Sequence, residues 1–309
     1  MASIFVNGIL TDLAEITGTE LADKITVRGG AQGVEAFVLG GADLVEIEAN
    51  NEEVDTTMRG GEGNDVIVVT AGDPEELEWV GTAAINGQYI GGLENDSITM
   101  GDGLAILQGS VKGNEGIDTV TVARADGGFI NGGSENDVIT LGFAEGYGPA
   151  AGSRAEASIS ASTIYGGAEN DDITIGELTS FEASVAKGQD GDDTITVTEG
   201  ATGSGNLFQG NKGDDEINIA KLVGEGNVGR GGKGDDTIRG GNGQDVYGDL
   251  GGDLFSVEAE GGMHIKDYGR KYPFSNDGLV DTPYGEDEYP CDDQIQIDGH
   301  KIFYTTNEY

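Results

Sequence analysis

Eight short stretches place a carboxylate in one recurring setting: GGEGNDVIV (60–68), GGLENDSIT (91–99), GNEGIDTVT (113–121), GGSENDVIT (132–140), GGAENDDIT (166–174), GQDGDDTIT (188–196), GNKGDDEIN (210–218) and GGKGDDTIR (231–239). Glycine leads each stretch, aspartate stands sixth, and isoleucine or valine stands eighth. Such a turn suits a hard divalent cation. Calcium takes six to eight oxygen ligands, carboxylates and backbone carbonyls, at about 2.3–2.6 Å. Glycine supplies accessible carbonyls because it reaches positive φ without penalty, and the aspartate supplies charge. If successive turns stack, an ion between them draws oxygens from both, so metal binding and folding are coupled. Magnesium demands octahedral geometry and keeps its waters, so it suits the site less well.

The spacing of these stretches says what must position them. The sixth-position aspartates are separated by 31, 22, 19, 34, 22, 22 and 21 residues, a base unit near 21–22 with two enlarged copies. A second apolar piece precedes each glycine pair, for example Phe129-Ile130 and Leu207-Phe208. One unit therefore reads as turn, strand, second turn, second strand. In Thr194-Ile195-Thr196-Val197 the alternation puts Ile195 and Val197 inside and the threonines outside. The expected fold is all-β: a right-handed parallel β-roll or β-helix solenoid of about 11 coils. At about 4.8 Å per coil the rod would be roughly 50 Å long.

Residues 1–17 read as an N-terminal cap, residues 18–59 as degenerate repeats keeping Asp23 and Asp43, residues 60–256 as the calcium-binding solenoid, and residues 257–309 as a C-terminal cap. The stretches 70–88, with the only tryptophan Trp79, and 142–162 read as loop insertions. After Asp236 the repeats tighten into GGNGQDVYG (240–248) and GDLGGDLFS (248–256), which places metal turns on both sides of a coil.

Composition narrows the partners. Asp plus Glu total 57 against 16 basic residues, a formal net charge of −41. Charge of that size opposes compaction unless cations neutralise it, and nucleic acid is not an expected partner. No apolar run is long enough for a membrane helix, so no membrane insertion is expected. One cysteine, Cys291, leaves no internal disulfide.

The array G-G-x-G-x-D-x-U-x over residues 60–256 resembles the RTX (hemolysin-type) calcium-binding repeat family. The resemblance implies bound Ca2+ ions, calcium-dependent folding and work outside the cytoplasm. Carried over residue by residue, it implies side-chain ligands at Asp65, Asp96, Asp118, Asp137, Asp171, Asp193, Asp215, Asp236, Asp245 and Asp253. Fifth-position residues Asn64, Asn95, Asn136, Asn170, Asp192, Asp214 and Asp235 either join the site or stabilise the turn by hydrogen bonds. Glu94, Glu135 and Glu169 replace the fourth glycine, and either add carboxylates or mark a changed turn. The 22-residue spacing departs from the regular 18-residue roll and suggests one metal row over most of the length.

The expected role is a non-enzymatic, calcium-stabilised structural protein of an extracellular surface that self-associates or joins an assembly. The chain has no H-E-x-x-H or G-x-S-x-G motif. Two alternatives stand beside this: a virion surface or decoration protein, and a small polysaccharide lyase. The lyase reading rests on Arg59, Lys112, Lys187 and Arg230, which each precede a repeat's first glycine and would stack as a basic column.

Overall fold

The computed structural model describes residues 3–6, 9–11, 15–28, 33–49, 53–71, 82–101, 104–142, 157–176, 180–241, 243–257, 264–265, 294–297 and 303–304. Among them there is no helix, so none that could cross a membrane. The chain winds as a parallel solenoid with three faces. The first is a 14-stranded sheet running from the N-terminal hairpin to Gln294–Ile297. The second has 13 strands, from Glu15–Thr17 to Phe303–Tyr304. The third is a short six-stranded sheet from Glu53–Val54 to Ser180–Glu182.

Equivalent residues stack in strict register. On the first face Ile98 lies over Val120, Val120 over Ile139 and Ile139 over Ile173. A solenoid must close its first edge, because unpaired strand groups template aggregation. Here the hairpin Ser3–Val6 and Ile9–Thr11 lies antiparallel on Lys24–Arg28 and covers that edge. At the other end Gln294–Ile297 and Phe303–Tyr304 extend both large sheets by one parallel strand each.

The two-strand coil expected from sequence becomes a three-strand coil over much of the length. Strands such as Leu104–Leu107, Arg124–Asp126, Ser158–Ser160 and Ser180–Glu182 form the third face. Further on that face thins to a single bridge, Thr202 to Val223. The supposed insertion 70–88 includes the third-face strand Thr82–Ile85, and 142–162 includes Ser158–Ser160. Residues 72–81, with Trp79, and 143–156 lie outside the described residues, as do Cys291 and His300.

Among the described residues the stacked strands from Lys24–Arg28 to Asp245–Leu250 send alternate side chains inward, and three inward rows fill the core. Ile173, Ile195 and Ile217 come from the first face, Ile164, Ala186 and Phe208 from the second, Ile159 and Phe181 from the third, all buried. The rings of Phe181 and Phe208 stack with centroids 5.7 Å apart. Space for Phe208 comes from its neighbours in the row, Ala186 and Gly229. Phe208→Ala is expected to cost about 3–5 kcal/mol, read as a lowered denaturation midpoint at constant m-value.

A polar ladder closes the corner between third and second faces. The Ser184 amide donates to Asn206 Oδ1 at 2.9 Å, and Asn206 Nδ2 donates to the Phe181 carbonyl at 2.6 Å and to Asn227 Oδ1 at 2.9 Å. Asn206→Leu would orphan these buried groups, and a loss of about 2–4 kcal/mol is expected in the same assay.

A buried aspartate ladder as candidate metal centre

The first three motif residues complete the second-face strand, the fourth to sixth make the corner, and the seventh opens the first-face strand. The sixth-position aspartates thus fall on one corner in successive coils. Eleven form a continuous buried column: Asp23, Asp43, Asp65, Asp96, Asp118, Asp137, Asp171, Asp193, Asp215, Asp236 and Asp253. Each coil's aspartate amide donates to Oδ1 of the next coil's aspartate. The distances run from Asp23 N to Asp43 Oδ1 at 2.6 Å through to Asp236 N to Asp253 Oδ1 at 3.0 Å. The coil length varies from 17 to 34 residues between these partners, yet the bond is kept. Insertions are absorbed elsewhere in the coil.

The second carboxylate oxygen is different. Oδ2 of Asp43, Asp65, Asp96, Asp118, Asp137, Asp171, Asp193, Asp215 and Asp236 is buried with no hydrogen-bond partner. From Asp65 to Asp236 it folds back over the first glycine of its own motif. A Cβ on Gly60 would overlap Asp65 Oδ2 and the Gly91 carbonyl, and one on Gly132 would overlap Asp137 Oδ2 and the Gly166 carbonyl. The leading glycine therefore makes room for the carboxylate. Gly132→Ala is expected to destabilise the coil more than Phe208→Ala does, because the obstacles are backbone and the ladder itself.

Burial pushes these carboxyls up, the single backbone hydrogen bond pulls them down, and in all but Asp171 neighbouring acids add to the rise. Asp65, Asp118, Asp171, Asp193 and Asp215 rise to about 7. Asp96, Asp137 and Asp236 rise to about 8. Asp43 is raised for the same reason. Fully ionised neighbours one coil apart, about 4.8 Å, would repel by roughly 3 kcal/mol per pair at an effective dielectric near 20. The column is stable when protons or cations offset that charge.

The fifth-position residues form a second ladder on the outside of the same corner, running the opposite way. Asn64 accepts from the Asn95 amide, Asn95 from Ile117, Asn136 from Asn170 and Asn170 from Asp192. Asp192, Asp214 and Asp235 accept from the amides of Asp214, Asp235 and Gly252 at 2.8 Å. These side chains reach across coils rather than within their own turn.

Glu94, Glu135 and Glu169 adopt φ of 67°, 75° and 71°, where Gly116, Gly191 and Gly213 take 123°, 135° and 122°. The turn is thus altered in the glutamate coils, and Glu94 Oε2 accepts from the Gly63 amide of the preceding coil at 2.6 Å. Asp245 stands apart from the other sixth-position residues. It opens the second-face strand Asp245–Leu250 and faces His264 Nδ1 at 3.1 Å, because its coil keeps only 17 residues between Asp236 and Asp253. Asp23 and Asp43, in stretches read as decayed, sit in the column with the rest.

The donor set fits a hard cation: nine unpartnered carboxylate oxygens, of which those of Asp65, Asp118 and Asp137 share the space over their leading glycine with a glycine carbonyl of the next coil. Among the described residues no three or more acidic, histidine or cysteine side chains converge on one point, so backbone oxygens would complete any coordination sphere. No family model, curated protein or solved structure matches the chain.

Proposed function

We propose that this chain is a calcium-binding structural protein of an extracellular surface, without catalytic activity, in which Ca2+ neutralises the aspartate corner and locks successive coils together. The observation that carries the reading is the column of nine buried, unpartnered Oδ2 atoms. Asp65 to Asp236 and Asp253 would hold the ions with turn carbonyls, and the exposed Asp192, Asp214 and Asp235 would add charge at the rim. The likeness of the repeats to RTX sequences supports the same reading, and with it secretion. A long acidic rod that stays extended only with bound cations suits a layer, matrix or adhesion component, where calcium is abundant and repeated faces meet repeated partners. Calorimetric titration tests this. Several calcium ions per chain should bind with release of protons. Absence of heat and proton release at millimolar calcium, in a folded sample, would sink it.

A further inference from the structure

On the outer side of the second face, one row runs the length of the solenoid: Phe37, Arg59, Ile90, Lys112, Asn131, Tyr165, Lys187, Gln209, Arg230 and Tyr247, each paired with the next. The four cations anticipated as a column do stand in one. In a chain with 57 acidic and 16 basic residues, these ten positions hold four bases and no acid. The cations recur every two or three coils, about 10–14 Å apart; the gaps hold Ile90, then Asn131 and Tyr165, then Gln209, and Phe37 and Tyr247 stand at the two ends. The ammonium of Lys112 lies 5.6 Å from the Phe129 ring centre, and that ring meets Tyr165 edge-on at 5.6 Å. Arg59 lies 5.5 Å from the Phe37 ring centre. Arg230 lies 5.0 Å from that of Tyr247 and is fixed by both oxygens of Asp249.

We infer that this row is a binding track for a linear polyuronate laid along the solenoid axis. Arg59, Lys112 and Lys187 pair with some of the carboxylates of an extended acidic chain, while Arg230 is already neutralised by Asp249. The Tyr165 ring between Lys112 and Lys187, with Phe37 and Tyr247 at the ends of the row, covers apolar faces of sugar rings, and Gln209 hydrogen-bonds hydroxyls. Straightness matters here: stacked coils hold successive contacts on one line without ordering cost at binding. A second copy of this chain is a poorer occupant, since two bodies of charge −41 repel more strongly than one such body and a short oligosaccharide. The inference names a partner for the surface role proposed above and rests on that reading for its setting, while the track itself does not depend on the aspartate corner.

The test uses the full chain in calcium, with its fold checked by circular dichroism, titrated with an oligogalacturonate long enough to run the row. Binding that weakens with salt is expected. The Arg59→Ala/Lys112→Ala/Lys187→Ala variant should lose about tenfold or more in affinity. A Lys24→Ala/Lys221→Ala/Arg239→Ala variant, with the same charge change away from the row, should lose little. A neutral galactan should not bind. Equal losses in the two variants, or none in either, would overturn the track, since calcium bridging to the acidic corner would then explain any binding. So would an oligomer that dissociates in the first variant while oligogalacturonate binding persists, which would make the row a contact between copies. Calcium-dependent folding is scored separately by the dichroism, so failure of that reading leaves this measurement interpretable.

Discussion

Calcium added to chelated protein at pH 8.5 is expected to raise its melting temperature by about 15 °C or more. The magnitude follows from linkage. Each site saturated 100-fold above its dissociation constant contributes about 2.7 kcal/mol, and one kcal/mol moves the melting temperature by about 1.5 °C in a chain of 309 residues. About four occupied sites of the column suffice. Magnesium at the same concentration should do much less. Asp215→Asn separates charge from hydrogen bonding. Its Oδ1 still accepts the Asp193 amide, a bond of 2.8 Å in the parent, but one buried charge is gone. The variant should melt higher than the parent in chelator at pH 8.5 and gain less from calcium. Melting temperatures that ignore calcium, or a variant that falls in both conditions, would refute the cation-locked column.

Without calcium, stability should fall steeply between pH 5.5 and 8.5. The column carboxyls titrate at about 7–8 in the folded chain against 3.8 in the reference state. The folded state thus retains protons that the unfolded chain has released. For carboxyls raised in this way, the contribution is fully present below the unfolded value and lost as pH rises through the folded one. Ordinary surface carboxylates have finished ionising by pH 5.5, and the eight column aspartates raised to about 7–8 far outnumber the two histidines, so the column dominates the change across this window. A drop of about 10 °C or more is expected in chelator, and calcium should flatten the curve by taking the place of the protons. A flat melting temperature across the window in chelator would mean that the carboxyls are solvated, contrary to their burial.

The repeat was legible because its constraints are local. A leading glycine, a sixth aspartate and an inward eighth residue each answer to one turn and the strand after it. The parallel stacking, the coil length and the basic column follow from their periodicity. The third face was not legible. Its strands, such as Ser158–Ser160 and Ser180–Glu182, are only three residues long, and each contributes one buried residue, too little for alternation to register. The separate position of Asp245 was legible in the tightened spacing, which put turns on both sides of its coil. GGNGQDVYG satisfies the turn pattern, but Asp236 and Asp253 already occupy the column on either side of it, so its turn falls at another corner.

The sequence by itself determined that the chain coils, that its coils repeat near 22 residues, and that acids gather at glycine turns. Those properties depend on side chains a few positions apart. Only the tertiary structure decided that from Asp65 to Asp236 one oxygen of each column aspartate bonds the amide of the preceding coil and the other is left buried against glycine. That division depends on residues 17 to 34 positions away, brought within hydrogen-bonding distance by stacking. The same stacking turns isolated acids into a column whose charge must be offset, because proximity and exclusion of water act together once the coils are in register.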